Sequence, residues 1–91
     1  MAEWRQRVLD RLRRVIDSYE RGDTELPTLQ AEVDAAAAVL ESPDAGLIAR
    51  LRQAEADLET IRFTVPGEQE RHQATAVLVS LREALREAPG R

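Results

Sequence analysis

Apolar residues recur along this chain at steps of three and four, and the clearest run lies in residues 47–65. There Leu47, Leu51, Ala54, Leu58, Ile61 and Val65 follow one another at steps of 4, 3, 4, 3 and 4. That spacing keeps every member on one face of a helix. Such a helix needs neighbours to cover the stripe, and three other segments supply them. Trp4, Val8, Leu12, Val15 and Tyr19, widened by Leu9 and Ile16, mark a first helix. Leu26, Leu29, Val33, Ala36 and Leu40 mark a second, and Ala74, Leu78, Leu81 and Leu85 a fourth, with Val77, Ala84 and Ala88 beside them. Val79 falls off the last stripe and is expected to be partly exposed.

Turn residues punctuate these segments. Gly22 is a natural helix stop, and Thr24 is the expected N-cap of helix two, with Pro27 tolerated in the first turn. Ser42, Pro43 and Asp44 read together as N-cap, first helical residue and acid near the positive helix end. Pro66 biases Val65 out of the helical region, and Pro89-Gly90 ends helix four. The predicted helices cover residues 2–21, 25–41, 43–63 and 67–87. Short connections make neighbours antiparallel. The expected fold is all-α, a single-domain antiparallel up-down four-helix bundle over residues 1–91; the alternative is a three-helix bundle with a short extra helix.

Two places leave a choice between packing and binding. In residues 35–38, all Ala, the preferred reading is helix propensity and a close helix crossing; the other is a flat patch for a second subunit. Phe63 falls on the face opposite the third stripe, beside Arg52, Ala56 and Glu59. The preferred reading unwinds the helix so that Phe63 folds over the bundle end. The alternative leaves an exposed aromatic, which marks a binding surface.

Charge sharpens the functional expectation. The net charge is -4, but residues 22–60 carry nine acids against two Arg, while residues 1–21 carry six Arg against four acids. An acidic middle favours a protein partner with a basic surface over nucleic acid. The candidate contacts are Asp34, Glu41, Glu55, Glu59 and Phe63. Arg7, Arg11 and Arg14 form a row on helix one, expected to pair with acids of the same chain; a weak nucleic-acid contact is the further alternative. Glu59–Arg62 and Glu83–Arg86 are spaced for surface ion pairs.

Nothing points to catalysis. His72 is the sole histidine, and Glu68 four residues before it makes at most half a metal site. There is no Gly-x-Ser-x-Gly, no phosphate loop and no cysteine. No catalytic, cofactor-binding or metal residue is expected, and no cofactor. The absence of Cys suits a reducing cytoplasm. No apolar run approaches membrane-spanning length, and the charged N-terminus does not read as a secretory signal.

In length, helicity, acidity and lack of disulfides, the chain resembles the four-helix immunity proteins that neutralise nuclease bacteriocins. The resemblance implies a protein that covers a basic toxin domain. That family's Asp-Tyr pair is missing: Tyr19 lies between Ser18 and Glu20, so no site residue is carried over. All thirteen basic residues are Arg, and Ala is abundant, a bias typical of GC-rich bacterial genomes. The segments Tyr19-Glu20-Arg21-Gly22-Asp23 and Ile61-Arg62-Phe63-Thr64-Val65-Pro66 are similar to those of small actinobacterial helical proteins. A self-associating structural bundle, such as a homodimer, is the alternative to a partner-binding module.

Overall fold

A computed structural model describes residues 3–88. The described residues form four helices, α1 (Glu3–Arg21), α2 (Leu26–Val39), α3 (Ala45–Thr64) and α4 (Gly67–Glu87), with a 3-10 turn over Ser42–Asp44 between α2 and α3. They make an up-down four-helix bundle, 43 × 22 × 19 Å. Each helix packs on two neighbours, in the order α1, α2, α3, α4 and back to α1. The packing is closest around α3 and slightest between α1 and α4. The expected start at Ala2 and the Pro89-Gly90 stop lie outside the described residues.

The helix ends follow local chemistry. Gly22 takes the left-handed φ of 89° that only glycine adopts without strain. Its N–H donates to the Tyr19 carbonyl (3.0 Å), and that of Asp23 to the Ser18 carbonyl (2.9 Å), the paired bonds that satisfy orphan carbonyls at a helix end. Val65 is extended before Pro66, as the proline requires. Glu68 and Glu70 open α4 and Arg86 closes it, each complementing the helix dipole.

Three starts and stops differ from expectation because the residues concerned have other partners. Thr24 is not the N-cap of α2: its hydroxyl bonds that of Ser18 (2.5 Å), and Glu25 holds the cap position. Leu40 leaves the helical conformation while its side chain stays in the core, so α2 stops at Val39. Ser42 does not cap α3. It begins the 3-10 turn, closed by the Asp44 N–H on the Glu41 carbonyl (2.8 Å). Asp44 turns its carboxylate to Arg5 of α1 instead of to the helix end.

The core is built from four stripes. Leu47, Leu51, Ala54 and Leu58 of α3 are buried, and Ile61 packs at its margin. Leu26, Leu29, Val33, Ala36 and Leu40 face it from α2, and Ala74, Leu78, Leu81, Ala84 and Leu85 from α4. On α1 the buried set is Arg5, Leu9, Leu12, Ile16 and Tyr19, at steps of 4, 3, 4 and 3; Leu12 and Tyr19 belong to the predicted stripe, Leu9 and Ile16 to its predicted widening, and Arg5 is new. Val8 and Val15 form its shoulder instead of its centre, and Trp4 is exposed. The first place in the true stripe belongs to Arg5, whose Nε and NH2 bind Asp44 Oδ2 and Oδ1 at 2.7 and 2.8 Å. A bidentate carboxylate is what allows a guanidinium to be buried.

Candidate functional site

All the sequence-predicted contacts lie on α2, on α3 or on the link between them, and the structure divides them. Glu55, Glu59 and Phe63 follow at four-residue steps, which puts them on successive turns of α3. The seam with α2 organises this group through Gln30, a buried amide that sits among the apolar positions of α2. Gln30 Nε2 donates to Glu55 Oε2 (2.9 Å) and to Glu59 Oε1 (3.3 Å). Its Oε1 accepts from Arg62 NH1 (3.2 Å). One side-chain amide thus fixes two carboxylates and a guanidinium. Sequence reasoning missed Gln30; the available signal was a polar residue four after Leu26 and three before Val33, within the stripe.

Phe63 corrects the preferred expectation. The helix does not unwind at this residue but continues to Thr64, and Phe63 stands 68% exposed. The Arg62 guanidinium lies 4.8 Å from its ring centre, a cation–π contact that steadies the ring without covering it. An aromatic held in water beside two ordered carboxylates is the most prominent surface feature of this face.

Asp34 lies one turn along α2 from Gln30, but its carboxylate is engaged by Arg52 of α3 at 2.5 Å. Glu41 sits at the opposite end of α3 from Phe63; it is exposed, and no ion pair reaches it among the described residues. The five candidates are therefore a cluster of three, a neutralised neighbour and a remote acid. Much of the acidic excess is likewise answered internally: Asp23, Glu32, Asp34 and Asp44 bind Arg21, Arg11, Arg52 and Arg5. The Arg11 guanidinium holds the Glu32 carboxyl below its ordinary range, and Arg5 does the same to Asp44; in each case burial opposes the shift.

The arginine row behaves unevenly. Arg11 forms two 2.9 Å bonds to Glu32, whereas Arg7 and Arg14 are exposed with no carboxylate partner among the described residues. Neither expected surface pair forms: Arg62 turns to Gln30, and no ion pair joins Glu83 to Arg86. An open recess between α1 and α4 is lined by Arg13, Arg82 and Arg86. The charges of Arg13 and Arg82 are met there by Asp10, Asp17 and Glu20. In residues 35–38 the two middle alanines are buried and the outer two exposed, so the run serves packing on one side and surface on the other.

His72 is exposed on α4, and the described residues contain no group of three His, Cys, Asp or Glu placed to hold a metal ion. The Tyr19 hydroxyl is pushed up by burial and lies in the core, where it stays protonated at neutral pH. No described helix is long and apolar enough to cross a membrane. No protein family, curated protein or solved structure matches the chain.

Proposed function

We propose that this chain is a non-enzymatic interaction module that binds another protein through the α2–α3 seam, with Phe63 as anchor and Glu55 and Glu59 as its charged flank. The exposure of Phe63 carries the reading. A helix that keeps a large aromatic in water while Ala, Leu and Ile fill its other face leaves apolar area that a partner would cover. The carboxylates, already ordered by Gln30, lose little conformational freedom on binding, which favours a basic counter-surface. Masking of a basic domain in the cytoplasm, in the manner of immunity proteins, is the role this surface suits.

The test is capture on immobilised protein across a salt series. The wild type should retain a basic partner whose binding weakens as salt rises. Phe63→Ala should lower retention by about tenfold, the scale of an aromatic anchor. Glu55→Gln with Glu59→Gln should flatten the salt dependence. Retention of acidic or neutral proteins only, insensitive to salt and to Phe63→Ala, would count against the reading.

A further inference from the structure

The opposite side of α2 has a different character. Between α1 and α2 runs a groove of about 150 Å³, lined by Val8, Arg11, Leu12, Glu32, Ala36 and Val39, with Ala35 at its edge. Its walls are largely apolar, and Val39 is 50% exposed. Arg11 and Glu32 clasp one another across it. Trp4 precedes Val8 by four residues, which puts it one turn further along the same side of α1, and it is 36% exposed. Of the α1 arginines only Arg11 lines this groove, and the six divide into paired and unpaired. Arg5, Arg11, Arg13 and Arg21 each bind a carboxylate. Arg7 and Arg14 have none among the described residues, and both lie on the outward edge of α1, flanking Arg11. Seven residues separate them, two helical turns or about 10 Å.

We propose that the α1–α2 groove docks an acidic amphipathic helix of a partner protein, with a small aliphatic side chain entering between Val8 and Val39 and carboxylates two turns apart lying against Arg7 and Arg14. A concave apolar floor receives one face of a helix. The seven-residue spacing of the two unanswered cations matches the repeat of a helix laid alongside α1. A second copy of this chain fits poorly, because a symmetric contact would bring the cationic rows of both copies into one interface. A nucleic acid or a flat lipid surface would use the arginines but not the recess.

Trp4 is the chain's single tryptophan, so its emission reports directly on this face. The probe is a tryptophan-free synthetic helix with Val at the groove-facing positions and Glu at seven-residue spacing. It should shift Trp4 emission saturably, and less as salt rises. Arg7→Glu with Arg14→Glu should weaken it by about tenfold, and Val39→Arg should abolish it. All three sites are exposed or at a helix edge, so circular dichroism should be unchanged. Phe63→Ala should bind the probe as the wild type does, which separates this proposal from the function assigned to the α2–α3 seam. No shift at about 1 mM peptide, far beyond any useful affinity, would overturn it, as would an equal shift with Lys in place of Glu. A shift with phosphatidylglycerol vesicles but not with the peptide overturns it in favour of a lipid surface. A concentration-dependent dimer that Val39→Arg dissociates, with no peptide binding, overturns it in favour of self-association.

Discussion

α1 and α3 carry stripes of the same step, yet α3 reads from the sequence whole while α1 hides one member, Arg5. In α3 every central position is Leu or Ala, so the hydrophobic pattern and the buried face coincide. In α1 the buried line begins with an arginine, and the apolar Trp4, Val8 and Val15 broaden the pattern toward a side that is only partly covered. Position in a heptad-like repeat is thus a better guide to burial than polarity when a partner waits across the bundle. For Arg5 that partner is Asp44, 39 residues away in sequence.

Truncation at the centre and at the shoulder gives the largest contrast. Leu58→Ala removes a fully buried side chain of α3 and should cost about 4 kcal/mol in urea unfolding. Val15→Ala, on the shoulder of α1, should cost about 1 kcal/mol or less. Equal losses would mean that Val15 is central after all. Next in size, Asp44→Ala strands the Arg5 guanidinium. Both side chains are only 9% exposed, so the loss should be about 3 kcal/mol, the low end for a broken buried pair. Arg5→Met with Asp44→Leu should recover most of it, since a packed apolar pair often replaces a buried ion pair without loss.

Acid should expose the same difference between the helices. The hydrogen bonds from Arg5 depress the Asp44 carboxyl in the folded chain, as those from Arg11 depress Glu32. A depressed folded pKa gives stability that is fully present above the unfolded value, about 4, and is lost as pH falls through the folded value. Wild-type stability should therefore decline below about pH 4, and Asp44→Asn should start lower and decline less. A parallel decline in both proteins would show that Asp44 does not set the slope. The smallest effect belongs to Arg52→Ala. Its pair with Asp34 is about half exposed on both sides, so the change should be under about 1 kcal/mol.

These contrasts show why part of the molecule was legible and part was not. Periodicity found the apolar members of all four faces and passed over the two polar ones, Arg5 of α1 and Gln30 of α2, whose burial depends on partners from elsewhere in the bundle. Turn chemistry placed the stops at Gly22 and Val65, where the cause is local to the backbone. It misplaced the caps at Thr24 and Ser42, because the Thr24 hydroxyl turns back across the α1–α2 connection to Ser18 and Asp44 is claimed by Arg5, 39 residues away. Four-residue spacing brought Glu55, Glu59 and Phe63 to one side of α3, but Gln30, which orders the acids, reaches them from another helix. Phe63 was expected to tuck in, as apolar residues near helix ends commonly do; helical geometry up to Thr64 leaves it nothing to tuck against.

The closure between the first and last helices has a further consequence. Arginines hold it: Arg13 NH2 donates to the Leu85 carbonyl (3.1 Å), and Arg82 grips Asp17 and Glu20 at 2.7 and 2.6 Å. Arg71 donates to the Tyr19 carbonyl and stacks 4.5 Å from the centre of the Tyr19 ring. The Arg82 bonds are exposed and those of Arg13 and Arg71 part-buried, so loosening this seam forfeits less than parting Leu51 or Leu58 from their surroundings. The bundle should therefore part first along this seam, with α1 still anchored to the core through Leu9, Leu12 and Ile16, and amide protons of α1 should exchange with deuterium ahead of those of α3.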